Sequence, residues 1–149
     1  MAYTQLLYHI VFRTKSSHLS INIENERLMY HYMYKTCESM GCITHRIGGM
    51  PDHIHILVSI PVTVTIAQFV EKIKVSSSKR FKLTEEFPEF DGWASGYAAL
   101  TYAFSDKDTV INYIKNQKEH HHSVTFSHEY RKLISDAGIP INDEYFLKD

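Results

Sequence analysis

His53 and His55 flank a single isoleucine, Ile54, and that spacing is one a metal site can use. Residues two apart on a β-strand point the same way, with Cβ atoms about 7 Å apart, so both imidazoles converge on one ion. Ile54 then faces the other side and anchors the strand. In a chain with ten histidines, two satisfied surface histidines fit the same short pattern. Tyr113 and Gln117 form the second pair. Four residues apart on a helix, they share a face one turn apart. A phenol beside an amide oxygen suits a nucleophile next to a metal ligand. Val110, Ile111 and Ile114 border that face and let it overhang a sheet. An ordinary helix edge carries the same residues, so the chemistry depends on the two pairs meeting.

For them to meet, a strand must run through His53 and a helix through Tyr113. The segment His53 to Ile60 is the most regular in the chain: Ile54, Ile56, Val58 and Ile60 make one apolar face, and His53 and His55 begin the other. Thr4 to Arg13 alternates in the same way through Tyr8, Ile10 and Phe12, with His9 on the face of Leu7 and Val11, where it reads as structural. Between these strands, Ile23 to Met40 carries Leu28, Met29, Tyr32, Met33, Cys37 and Met40 at helical spacing, and Gly41 is placed to stop the helix. Cys42 to Ile47 reads as a strand ended by Gly48-Gly49. After Pro61, Thr63 or Thr65 caps a second helix bearing Ile66, Phe69, Val70 and Ile73. A looser stretch with the single tryptophan, Trp93, leads to a fourth strand, Tyr97 to Phe104. Ser105 and Asp108 make a capping-box-like start to a third helix that runs through Tyr113 and Gln117 to about His121. A short helical run, Glu129 to Ile134, follows before Gly138 and Pro140.

The order predicts an α+β chain: a ferredoxin-like βαββαβ antiparallel sheet with helices mainly on one face, then a helix carrying the tyrosine and a tail. At 149 residues one domain spanning 1–149 is expected, with a C-terminal arm from about 123 to 149. No apolar run approaches the ~18 residues of a membrane helix, and the first residues lack the pattern of a signal peptide, so no membrane partner and a cytoplasmic location are expected. Cys37 and Cys42 are too few for a disulfide framework and read as a reduced, partly buried pair. The formal charge of −1 is low for a protein bound to duplex DNA. Charge is locally uneven, however, with Lys72, Lys74, Lys79, Arg80 and Lys82 close together.

Beyond single residues, "GGMPDHIHILVSIP", "KIKVSSSKRF", "GWASGYAAL" and "YIKNQKEHH" stand in an order and spacing that resembles the HUH single-tyrosine transposases of small insertion sequences, including the REP-associated tyrosine transposases. "YHIVFRTK" at the start and "FSHEYRKLISDAGIPINDEYF" at the end look like the same family's ends, so the resemblance covers nearly the whole chain. It implies His53 and His55 as metal ligands, Gln117 as the third ligand and Tyr113 as nucleophile. It implies a divalent cofactor, Mg2+ or Mn2+, and a homodimer in which the tyrosine helix can serve the partner's histidines. It implies a transposase that cleaves and rejoins single-stranded DNA, at hairpin ends of a mobile element, through a 5′-phosphotyrosine.

Arg13, Lys15, Lys74, Lys79 and Arg80 are the candidate DNA contacts, although a solvated helix face explains the basic run nearly as well. Trp93, Tyr97 and Tyr102 suit core packing better than base stacking. His120-His121-His122 resembles a metal cluster, but consecutive helical residues point about 100° apart and chelate one ion poorly. Two rival readings share the fold: a nucleic-acid-binding module with incidental histidines, and a domesticated relative that nicks DNA without transposing it. An RRM-type module carries aromatic residues on its central strand, and the strand from His53 to Ile60 has none.

Overall fold

Four strands form one antiparallel sheet in the computed structural model, which describes residues 1–149. They are β1 (Leu7–Arg13), β2 (Ile43–Met50), β3 (His53–Ser59) and β4 (Ala98–Thr101). Their spatial order is β2-β3-β1-β4, the ferredoxin-like arrangement predicted from the element order. The helices are α1 (Glu26–Ser39), α2 (Ile66–Phe81), α3 (Lys107–Lys115), α4 (Gln117–His120) and α5 (Phe126–Asp136).

The alternation in β1 and β3 sorts their side chains onto two faces. Ile10, Phe12, Ile54, Ile56 and Val58 join Met29, Met33 and Cys37 of α1 and Phe69, Val70 and Ile73 of α2 in the main core. Each such large aliphatic side chain contributes about 1.5–3 kcal/mol when it leaves water. Leu28, expected in that stripe, is exposed. Thr65, rather than Thr63, caps α2, and Gln68 completes a reciprocal capping box. Gly41 ends the first helix as expected: its φ of +78° lets the Cys42 amide reach back to the Cys37 carbonyl at 3.1 Å. Both cysteines are free and buried.

On the opposite face Leu7 and Leu57 pack against Val110 and Ile114 of α3, and Val11 and Ala98 pack against Phe126 and Tyr130 of α5. The C-terminal helices therefore roof the histidine face. Here the structure corrects several boundaries. The helix expected to run unbroken to His121 divides at Asn116, whose ψ of 19° separates α3 from α4. Asparagine is a poor helix interior residue, and Lys118 ties α4 elsewhere, to the Gly49 carbonyl at 2.6 Å and to Glu26 at 2.8 Å. The Ser105–Asp108 capping box does not form; a 3-10 turn, Phe104–Asp106, leads into α3 instead. Gly48 and Gly49 lie inside β2 rather than ending it. The tail helix starts at Phe126, earlier than expected, because Thr125 caps it by accepting from the His128 amide.

Candidate active site

Strand register decides which histidines meet. His9 of β1 pairs with Leu57 of β3, next to His55 on the same face, and the two imidazoles stack with centroids 5.0 Å apart. His9 Nε2 lies 2.8 Å from His55 Nδ1, which leaves His55 Nε2 pointing into the site, buried and without a hydrogen-bond partner. His53 Nδ1 is 2.7 Å from the Asp52 carboxylate, and its Nε2 is 2.9 Å from Gln117 Oε1. Each imidazole is thus held by a partner on Nδ1 while Nε2 faces inward, the usual support of a ligating histidine. His53, His55 and Gln117 are all buried.

α3 brings Tyr113 over this floor, its ring 5.8 Å from the His55 ring. Despite the break at Asn116, Tyr113 and Gln117 still face the same way: the phenol hydroxyl and the Gln117 amide both donate to Glu129 Oε2, the latter at 2.8 Å. Glu129 of α5 was not singled out from the sequence. It is 3% exposed, and its Oε1 lies 3.4 Å from the Nε2 atoms of both His53 and His55 and 3.0 Å from His121 Nε2. Phe126, one turn earlier on α5, stacks on His53 at 4.2 Å. Of the three consecutive histidines, His120 and His121 turn toward Glu129 while His122 is exposed.

Burial governs the electrostatics. Desolvation lowers His55 to about 4 and His9 to about 3, so both are neutral at pH 7. Burial, then the hydrogen bond from its own hydroxyl to Glu129, pushes the Tyr113 phenol well above its ordinary value. Burial alone would raise Glu129, but the contact with His55 and the hydrogen bonds from Tyr113 and Gln117 outweigh that and hold it well below the usual carboxylate range.

A divalent cation fits these residues. Neutral imidazoles, an amide oxygen and a carboxylate are the donors such ions take. His53 Nε2 and Gln117 Oε1 lie side by side at 2.9 Å, with the Asp52 carboxylate behind His53 Nδ1. The His55 Nε2 atom supplies a further unpartnered donor site.

The basic candidates behave differently from one another. Arg13 is buried and bound to Asp149 at 3.0 Å and to Ser17 at 3.0 Å. Lys74 donates to the Ala94 and Gly96 carbonyls at 2.9 and 2.6 Å, and burial, with Arg13 nearby, lowers it to about 8. Lys15 is half-exposed, 3.9 Å from Asp91. Lys79 and Arg80 are exposed; Lys79 lines an open groove with Lys82 and Trp93, and Arg80 lies over Phe81. Trp93 itself packs between Phe12 and Phe90. Tyr102 packs beside Leu7 and Val110, whereas Tyr97 remains partly exposed.

The sequence model of the family described as "Transposase IS200 like" matches residues 2–117, most of the chain. The chain belongs to the IS200-like transposase family. This IS200-like transposase is 29% identical, over 119 residues, to the transposase for insertion sequence element IS200 of Salmonella typhimurium, covering 75% of this chain and 76% of that protein. Two solved structures share its fold. One is from Deinococcus radiodurans R1 and is described as a candidate transposase, with 23% identity, TM-score 0.60, and 78% and 93% of the two chains covered. The other is a REP-associated tyrosine transposase bound to a REP hairpin, with 12% identity, TM-score 0.62, and 83% and 73% covered. The family match includes Tyr113 and ends at Gln117, before α5 begins.

Proposed function

We propose that this IS200-like transposase cleaves and rejoins single-stranded DNA, with Tyr113 as nucleophile and a divalent cation held by His53, His55 and Gln117. The observation that carries the reading is the meeting of a phenol with an inward-facing, unpartnered His55 Nε2 on a floor otherwise closed to water. Tyr113 Oη would attack the scissile phosphorus and the bond to the 3′ oxygen would break, leaving a 5′-phosphotyrosine and a free 3′-hydroxyl. Because the phosphodiester is conserved in the covalent adduct, another strand's 3′-hydroxyl can reverse the step and rejoin DNA. Water as nucleophile would not allow that.

Asp52 and His9 orient the two imidazoles, and the Gln117 amide hydrogen bond to Glu129 turns its oxygen toward His53. Burial first, and then the hydrogen bond to and charge of Glu129, keep the phenol protonated and a poor attacker. A divalent cation, Mg2+ or Mn2+, would offset that charge and polarise the scissile phosphate.

The DNA contacts best supported are Lys79 and Arg80, exposed on α2, with Lys15 in the 3-10 turn that follows β1. Arg13 and Lys74 would first have to leave the partners they hold. Hairpin DNA is the preferred substrate on this reading, since a structural relative binds a REP hairpin. A homodimer remains the expected assembly, while Tyr113 already lies beside the histidines of its own chain.

The deciding experiment incubates the protein with Mn2+ and labelled single-stranded hairpin oligonucleotides. A covalent adduct on a denaturing gel is expected. Binding without any adduct across several substrates in Mg2+ or Mn2+ would replace this reading with that of a binding module.

A further inference from the structure

We propose that Glu129 is a fourth protein ligand of the cation, and that its second carboxylate oxygen holds the Tyr113 hydroxyl, so one side chain links ion and nucleophile. This rests on the metal-dependent reading above and adds to it a residue outside the family match, which stops at Gln117.

The two oxygens of Glu129 divide their contacts. Oε1 faces the histidine floor, 3.4 Å from both His53 Nε2 and His55 Nε2. Oε2 accepts from the Tyr113 hydroxyl and from Gln117 Nε2. Neighbouring ligands on an octahedral ion with bonds of about 2.1 Å lie about 3 Å apart. The 3.4 Å separations at Oε1 and the 2.9 Å between His53 Nε2 and Gln117 Oε1 are close to that edge. One ligand atom each from His53, His55 and Glu129 also lie within 4.8 Å of one another.

Charge supports the same assignment. Glu129 is 3% exposed, and its ion-pair partners within 4 Å are all histidines, with no lysine or arginine among them. A buried carboxylate needs a counter-charge. His53, His55 and Gln117 bring no negative charge of their own, whereas hard divalent ions favour anionic oxygen. Glu129 would make the set two nitrogens and two oxygens. Its helix is firmly seated, with Phe126 and Tyr130 packed on Val11 and Ala98.

The test is a Mn2+ titration of the metal-free full chain, read by the EPR signal of free Mn2+, with melting temperatures for every variant. Glu129→Gln keeps the shape and should weaken Mn2+ binding at least tenfold; His53→Ala should weaken it as much, and Tyr113→Phe by less than twofold. A crystal soaked in Mn2+ should show an anomalous peak within bonding distance of Glu129 Oε1 and both histidines, which decides the matter even if Glu129→Gln fails to fold. Unchanged Mn2+ affinity in folded Glu129→Gln overturns the Glu129 assignment while leaving the metal reading intact. So does a peak on His53 and His55 with Glu129 turned away, or a peak seated on His120 and His121 alone. No Mn2+ binding by the wild type overturns both.

Discussion

A β-carbon placed on Gly48 of β2 would lie 2.9 Å from Ile114 Cγ2 and 3.2 Å from the Ile114 carbonyl oxygen. Gly48 also stands directly across the ladder from His55. The missing side chain lets α3 settle onto the sheet close enough for Tyr113 to reach the histidine floor. Gly48→Val should push α3 away, costing about 1–3 kcal/mol by overpacking. Cleavage should fall much further than the loss of folded protein explains. Wild-type cleavage per folded molecule, with folding measured by thermal denaturation, would remove Gly48 from this role.

Tyr113→Phe keeps the ring and its packing and deletes the attacking oxygen. Cleavage and the covalent adduct should vanish together and no concentration of metal should restore them. DNA affinity should hold within about twofold, and stability should change by about 1 kcal/mol, the scale of one hydrogen bond. Gel assays for the adduct beside fluorescence anisotropy for binding check this pair of outcomes. An adduct that persists would move the nucleophile to another residue.

His53→Ala should also abolish cleavage, but through the cation, so raised Mn2+ should restore part of it. Chelation of the wild type with EDTA should mimic this variant reversibly. Asp52→Asn is a milder case: it leaves the ligands in place and weakens the acceptor at His53 Nδ1. Losing a supporting partner of this kind costs about 10–100-fold in metal affinity or activity, which calorimetry with Mn2+ would register.

Stability of the metal-free protein should fall as pH drops below about 6.5. His55 and His9 are lowered to about 4 and about 3, while in the unfolded chain each titrates at 6.5. Below 6.5 the unfolded chain therefore binds protons that the folded chain refuses until those lower values are reached. Each group should remove about 1.4 kcal/mol per pH unit across its window. Denaturant titrations at pH 7, 6 and 5 measure the slope, and His9→Gln should reduce it by about one proton. An identical slope in that variant would show that His9 does not resist protonation.

Much of the site was readable because it follows local periodicity. The two-residue spacing put His53 and His55 on one face of β3 with Ile54 and Ile56 in the core, and the structure has them so. The four-residue spacing put Tyr113 and Gln117 on one side of the chain, and they stay together even where the helix breaks at Asn116. Asp52 was within reach of the same reasoning, since it neighbours His53. Among the basic DNA-contact candidates, burial and nearby carbonyls or carboxylates occupy Lys74 and Arg13, and composition carries no trace of that.

Periodicity and residue type alone determined the strands, the order of elements and the side each functional pair faces, because those depend on neighbours two to four residues away. Tertiary structure alone decided that His9 backs His55, since that contact follows from the register of β1 against β3. It alone brought Glu129 under Tyr113. A short amphipathic helix such as α5 does not encode which surface its apolar side will cover. Phe126 and Tyr130 find Val11 and Ala98 only once the sheet exists, and that docking carries an otherwise ordinary glutamate into the site.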